Sequence, residues 1–341
     1  MKCVVMARPE PNSLELWDKP IPTPGPRDIL VKVKAAAICG TDVHIRQWND
    51  WTQRRMTPPT VIGHEFVGEV VEIGSDVKGI KVGDTVVPES HIPCGICPDC
   101  KRGNSHVCQH TGLLGITCDG GFAEYACFPA DIAYVAPKDI SYKTLAILEP
   151  FGQAVHAVMH EPVCGKVIAI IGCGPIGLMA VRVAKMMGAA QIIAVELNAQ
   201  RGQVALENGA DILVNPTECD PVERIMELTK GVGVDIAIEL SGSVIAEEQA
   251  TRYLRAMGKF VVAGLPSQPF SFNLSEFAYK GGTLVGAPAR LLYETWQQID
   301  ALLKSGLRLD DIVTHELPLE KFNEAVDLME QGKCSKCLLI P

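Results

Sequence analysis

Four cysteines, Cys94, Cys97, Cys100 and Cys108, are spaced C-x2-C-x2-C-x7-C within "HIPCGICPDCKRGNSHVC". Four thiolates can close a tetrahedron around Zn2+, leaving no position for water or substrate. Pro93, Gly95, Pro98 and Gly103 make this a loop that little else would order, so the spacing predicts a structural metal clamp. A redox dithiol is the alternative. A metal shut in by four thiolates cannot activate a substrate, so reactive chemistry needs other ligands. "CGTDVH" (Cys39 to His44) and "GHE" (Gly63 to Glu65) offer Cys39 and His64, with Glu65 or Glu149 of "LEPFG" as a third. Three protein ligands with one open position is the arrangement of a catalytic zinc. Singly, each has an ordinary reading: a buried thiol, a hydrogen-bonded imidazole, a carboxylate capping a turn. Together, beside a four-cysteine loop, they point to a second metal.

A further site is carried by "GCGPIG", Gly172 to Gly177, which follows an apolar strand and opens a helix. In this pattern Gly172 permits the tight turn, Gly174 lets a pyrophosphate approach the backbone, and Gly177 allows close helix–strand packing. Pro175 and Ile176 fall at the helix N-terminus, whose unpaired N–H groups favour phosphate. Nineteen residues after Gly177 stands Glu196, placed to accept hydrogen bonds from the adenosine ribose. Its charge would repel a 2′-phosphate, so NAD is expected over NADP; Arg201 is close enough to complicate that choice or to lie along the adenine. Cys173 reads as a small buried residue.

These residues need elements to hold them. In the first 140 residues, "DILVKVKAAA", "EFVGEVVEIG", "VGDTVVPES" and "FAEYACFPA" predict short strands in an irregular, mostly β region. "TLAILEPFGQAVHAVMH" (144–160) has helical spacing and is expected as one connecting helix. Then "KVIAIIG", "QIIAVE", "DILVN", "VDIAIEL" and "KFVVAG" alternate with helical stretches at 175–187, 198–208, 220–229 and 244–256. This alternation implies a doubly wound α/β domain with a parallel sheet. "LVGAP" could add a sixth strand. The helix in "YETWQQIDALLKSG" and the tail to Pro341 are expected to pack back on the first domain, the "CSKC" cysteines (Cys334 and Cys337) being strand residues.

Composition sets outer limits. The chain of 341 residues is 47% hydrophobic and 21% charged, enough for two domains with sizeable cores. A net charge of -9 argues against nucleic acid or an anionic membrane as partner. The most apolar run, Val167 to Val181, is too short to span a bilayer. "MKCVVMARPEPNSLELW" carries Pro and charges where an export signal needs an apolar stretch. A reducing, cytoplasmic setting follows, in which thirteen cysteines read as free thiols and metal ligands.

In order, "ICGTDVH", "GHEFVGEV", "VGDTV", the four-cysteine loop, "GGFAEY", "LEPFGQAVHA" and "GCGPIG" resemble the zinc-dependent medium-chain dehydrogenase/reductase family over essentially the whole chain. The resemblance implies a GroES-like catalytic domain over 1–150, a Rossmann NAD-binding domain over 151–289, and a segment 290–341 returning to the first. It implies two zinc ions per chain, NAD, a small-molecule alcohol substrate, and often a homotetramer. Cys39, His64 and Glu65 would be the catalytic zinc ligands, Thr41 and His44 a proton relay, and Glu149 an exchanging ligand or relay group. Gly264, Leu265, Ala287 and Pro288 are expected beside the cofactor.

"AAICGTDVHIRQWNDW", "HIPCGIC", "YETW" and "IVTHELPL" are most similar to the branch that oxidises L-threonine, in which His91 matches a residue lining the substrate pocket. Arg290, from its charge, could pair with a substrate carboxylate or contact the cofactor or a neighbouring loop. Pro288 and Ala289 depart from that branch, which usually carries Gly before the Arg, and Gln153 stands where it carries Asn. A sorbitol- or inositol-type polyol dehydrogenase is the alternative; a non-catalytic zinc and dinucleotide sensor is the alternative of another class.

Overall fold

The computed structural model describes residues 1–266 and 268–341. The chain divides into two compact units, Met1–Pro150 with Arg308–Pro341, and Phe151–Leu307.

The first unit is built on a seven-stranded sheet. Its order is Ala133–Val135, Thr85–Pro88, Phe66–Ile73, Asp28–Ala37, Lys336–Ile340 and Val313–Pro318, with Tyr125–Pro129 also pairing with Asp28–Ala37. Asp28–Ala37 is the organising strand because its apolar residues, among them Ile29, Val31, Val33 and Ala35, are buried. Phe66 and Phe128 meet edge to face at 5.7 Å in the same core. The C-terminal strand Lys336–Ile340 is thus an integral member, antiparallel to Asp28–Ala37.

The second unit holds a six-stranded parallel sheet ordered Ile212–Val214, Gln191–Val195, Val167–Ile171, Val234–Glu239, Leu254–Val262, Thr283–Gly286. Its central strands are largely apolar and buried, as suits a parallel sheet covered on both faces. Val167–Ile171 lies between Gln191–Val195 and Val234–Glu239, so the strand order reverses direction there. That reversal is the topological switch point of a doubly wound fold, where ligands bind outside the carboxyl ends of the strands.

Four expectations need correcting. The expected return at residue 290 occurs at Arg308, and the helix Glu294–Lys304 belongs to the second unit. Its buried stripe of Trp296, Ile299 and Leu303 explains this, Ile299 Cδ1 lying over Gly152 of the same unit. The single connecting helix is two, Tyr142–Ala146 and Leu148–Met159, interrupted at Ile147 with φ -112°. The helix expected to reach 256 stops at Tyr253, because Leu254 already enters the next strand. Of the "CSKC" pair only Cys337 is in a strand; Cys334 precedes it. Among the described residues, no helix is long and apolar enough to cross a membrane.

Candidate metal centres and cofactor cradle

The strand Asp28–Ala37 ends just before Cys39, which serves as N-cap of the helix Gly40–Gln47. The Cys39 N–H donates to Asp42 Oδ2 at 2.8 Å, fixing the turn from which the thiol projects. His64 and Glu65 lie immediately before the neighbouring strand Phe66–Ile73. One ligand atom from each of Cys39, His64 and Glu65 falls within 4.8 Å of the others. His64 Nδ1 is buried without a hydrogen-bond partner among the described residues, as a ring nitrogen awaiting a metal would be. A soft thiolate, an imidazole and a carboxylate are a donor set that zinc accepts. The residues fit the metal.

Around this cluster the charges are buried. Burial pushes the Asp42 carboxyl up, against the pull of His64. Burial also pushes Glu65 well up, opposed chiefly by Lys336. Burial opposes the charge on Lys336 in turn, but Glu65 and Cys39 hold its pKa above the ordinary value. Lys336 Nζ donates to Glu65 Oε1 at 2.7 Å and Oε2 at 2.5 Å. An ammonium that donates to both oxygens of a carboxylate satisfies the two contacts.

Glu149 stands outside the three-ligand cluster. Its Oε1 accepts from Ser90 Oγ at 2.5 Å, and Ser90 Oγ also lies 3.1 Å from His91 Nδ1. His91 Nδ1 is 3.2 Å from Glu89 Oε1. A polar chain therefore runs Glu149–Ser90–His91–Glu89, buried except at the half-buried His91. Thr41 Oγ1 is 3.7 Å from Cys39 Sγ, and His44, three residues on along the same helix face, is exposed to solvent.

The second metal site is the cysteine loop. Sulfurs of Cys94, Cys97, Cys100 and Cys108 converge within 4.8 Å, and none is in a disulfide. Backbone N–H groups point at the sulfurs: Cys97 N to Cys94 Sγ at 3.4 Å, Cys100 N to Cys97 Sγ at 3.5 Å, His110 N to Cys108 Sγ at 3.4 Å. Such donors stabilise thiolates, and those from Ile96 and Cys97 bring Cys94 down to about 7. A redox dithiol would pair two sulfurs; here four converge, which fits a closed metal clamp.

In the second unit, Gly172 has φ 86°, a left-handed conformation that favours glycine. A Cβ on Gly177 would sit 2.0 Å from the Gly172 carbonyl oxygen, whereas one on Gly174 would meet open space. The turn is thus closed on the helix side and free where a phosphate would approach. Gly174 caps the helix Pro175–Met186, with Pro175 and Ile176 in its first turn. Glu196 is buried, accepting from Cys173 N at 2.7 Å and Asn198 N at 2.8 Å. Gly264 and the exposed Leu265 follow Leu254–Val262, while buried Ala287 and exposed Pro288 follow Thr283–Gly286. All lie at carboxyl ends of the sheet's strands. Arg201 is exposed, and Cys173 is buried, its thiol pushed up to about 12 by burial.

Arg290 is 1% exposed, its guanidinium 5.9 Å from the Trp296 ring centroid and its stem packed against Gly152. Of the two expected roles, these packing partners favour contact with a neighbouring part of the fold over pairing with a substrate carboxylate. Ala289 adopts φ 48°. That is the left-handed region that glycine takes most readily.

Residues 25–138 match the model of the alcohol dehydrogenase GroES-like domain, and residues 175–305 that of the zinc-binding dehydrogenase domain. The chain belongs to the zinc-binding dehydrogenase family. Similar proteins include the L-threonine 3-dehydrogenase of Symbiobacterium thermophilum, 44% identical over 96% of this chain and 94% of that one. The L-threonine 3-dehydrogenase of Pyrococcus furiosus is 42% identical over 100% of this chain and 98% of its own. Among solved structures, the 2R,3R-butanediol dehydrogenase of Bacillus subtilis superposes with TM-score 0.90 at 30% identity, covering 100% of this chain and 99% of that one. This dehydrogenase combines a GroES-like unit with a Rossmann unit, and its residues fit a structural zinc, a catalytic zinc and a nicotinamide dinucleotide.

Sequence reasoning missed Lys336 and Ser90. Lys336 left a signal: a lone charge in the otherwise apolar strand "KCLLI". Ser90 left none, since a serine between Glu89 and His91 reads as ordinary loop.

Proposed function

We propose that this dehydrogenase oxidises the hydroxyl-bearing carbon of L-threonine to the ketone 2-amino-3-oxobutyrate, with NAD as hydride acceptor. The observation carrying the proposal is the likeness to L-threonine 3-dehydrogenases at 42–44% identity over nearly the whole chain. The convergence of Cys39, His64 and Glu65 supports it.

Bound there, zinc supplies an electrophile that makes an alcohol hydroxyl acidic near neutral pH, and the nicotinamide takes the hydride. The protein's own work is placement and proton movement. Cys39, His64 and Glu65 would hold the metal with one position left for the substrate. Thr41, beside Cys39, takes the hydroxyl proton, and exposed His44 passes it to solvent. Glu149, fixed by Ser90, lines the site as a neighbouring carboxylate and not as a ligand. His91, joined to that chain, faces the substrate. In the second unit Gly172, Gly174 and Gly177 shape the pyrophosphate turn. The helix start at Pro175 and Ile176, with Gly264, Leu265, Ala287 and Pro288, borders the cofactor. Glu196 receives the ribose hydroxyls through its remaining lone pairs, which favours NAD. The four-cysteine loop is structural. The setting is cytoplasmic and the assembly a homotetramer.

A vicinal diol is the second reading, favoured by the likeness to 2R,3R-butanediol dehydrogenase. NADH production from L-threonine, sorbitol, myo-inositol and 2,3-butanediol by the purified enzyme separates the two. Turnover of L-threonine above the others is expected. A silent threonine reaction beside strong diol or polyol turnover would remove the first reading, and NAD binding without any turnover would point to a sensor.

A further inference from the structure

Lys336 is the one charged residue of the strand Lys336–Ile340 and is 3% exposed. Its ammonium spends three hydrogen bonds on two segments. Two go to the Glu65 carboxylate, at 2.7 and 2.5 Å, and one goes to the Ile38 carbonyl at 3.1 Å. Ile38 precedes Cys39, and Glu65 follows His64, so one side chain from the C-terminal strand touches both pieces of backbone that carry the ligand cluster. The backbone holds it there: Ile38 N donates to the Cys337 carbonyl at 2.9 Å, and Leu338 pairs with Ala37.

Stability alone does not account for this pair. Two buried charges lose much of their mutual attraction to desolvation, and apolar residues of similar size often serve a fold as well. Geometry gives a better reason. Each carboxylate oxygen has two lone pairs. Lys336 occupies one on each Glu65 oxygen, and Glu65 still has an oxygen within 4.8 Å of the Cys39 and His64 ligand atoms.

We propose that Lys336 is a positioning residue of the metal centre. It grips Glu65 by both oxygens and draws off part of its negative charge, so that Glu65 acts as a weak, releasable arm of the site. This rests on the reading of Cys39, His64 and Glu65 as the ligand set. An ammonium hydrogen-bonded to a ligand also repels a dication, so the site gives up metal affinity in exchange for a position that an incoming oxygen can take. Without Lys336, both Glu65 oxygens would be free to turn on the metal, and the second would close the position left open by the three ligands.

The test uses the full-length enzyme with zinc kept in the four-cysteine loop and Co2+ loaded at the Cys39 site. Thiolate-to-cobalt absorption reports binding, and imidazole is the probe for an open position. Lys336→Met should bind Co2+ about tenfold more tightly in chelator competition, a change of the size that hydrogen-bond partners of ligands exert but opposite in sign, because this partner is a cation. Its visible bands should no longer respond to imidazole. Lys336→Arg, which keeps the charge and the fork of donors, should behave as the unsubstituted enzyme does. An unchanged or weaker affinity in Lys336→Met, or a retained imidazole response, overturns the proposal. Should the Met variant fail to fold, Lys336→Gln, polar but neutral, is held to the same two readouts. Absence of thiolate-to-cobalt absorption in the unsubstituted enzyme would overturn the ligand set and the clamp with it, a failure distinct from a normal spectrum that persists in the Met variant.

Discussion

The backbone N–H of Cys173 donates to Glu196 Oε2 at 2.7 Å. The glycine turn and the acid at the end of the next strand are therefore one hydrogen-bonded unit, and Glu196 organises the turn besides the ribose contact proposed for it. Glu196→Gln keeps one acceptor, which can serve Cys173 N, but loses the charge and the second acceptor that serves Asn198 N. It should leave folding nearly intact, raise the KM for NAD, and shrink the preference for NAD over NADP by about tenfold, the equivalent of ~1.4 kcal/mol. Steady-state kinetics with both cofactors measure this. An unchanged ratio would mean that discrimination lies elsewhere, with Arg201 the first place to look.

The two metal sites should fail differently. Cys39→Ser removes the soft ligand from the cluster of three and should cut turnover by at least about a thousandfold, since the proposed zinc chemistry depends on that cluster. Its melting temperature should barely change. Cys97→Ser breaks the four-thiolate clamp in a loop held by little else, so metal-coupled folding energy is lost. Zinc content should fall by one per chain, and the loop should become sensitive to proteolysis. Equal effects of the two substitutions on activity and on stability would show the roles to be misassigned.

Where the sequence was informative, it was because one residue type in one spacing has few physical uses. Gly172, Gly174 and Gly177 could be read because a left-handed turn, an open approach and a helix crossing each exclude side chains. The four cysteines could be read because thiols at that spacing have few other employments. Long-range pairings were silent. Nothing near Lys336 reveals that it meets Glu65, 271 positions earlier, because that meeting depends on the C-terminal strand lying beside Asp28–Ala37. The return at Arg308 was misplaced for a similar reason: the helix Glu294–Lys304 has an apolar stripe that suits either unit, and only packing on Gly152 decides.

Ser90 should prove to be a positioning residue for Glu149. Its hydroxyl donates to Glu149 Oε1 at 2.5 Å in a buried setting and also lies beside His91. Ser90→Ala withdraws the donor from a buried carboxylate, a loss of about 1–3 kcal/mol for such a group. A fall in kcat of roughly tenfold or more is expected, with NAD affinity unchanged because the residues proposed to hold the dinucleotide stay intact. Ser90→Thr, which restores a hydroxyl, should recover much of the rate. If the Ala and Thr variants were equally slow, packing rather than the hydrogen bond would be the cause.

The last prediction concerns stability and pH. Glu247 is fully buried, and neither of its carboxylate oxygens has a hydrogen-bond partner among the described residues. Burial pushes its carboxyl above the ordinary 4.5, and the nearby Glu239 pushes it further. Burial likewise raises Glu239, although Ser241 and Gly242 donate to it. A carboxyl with a raised folded-state pKa binds more protons folded than unfolded. Its contribution is therefore fully present below the unfolded value and is lost as pH rises through the raised folded value. The second unit should lose stability as pH climbs from 4.5 towards neutrality on account of this pair. Glu247→Gln removes one titration and most of the repulsion. Its melting temperature at pH 7 should exceed that of the unsubstituted enzyme by about 2–4 °C for each kcal/mol relieved, and the gain should vanish near pH 4. A gain of the same size at both pH values would show that shape, not charge, had been improved.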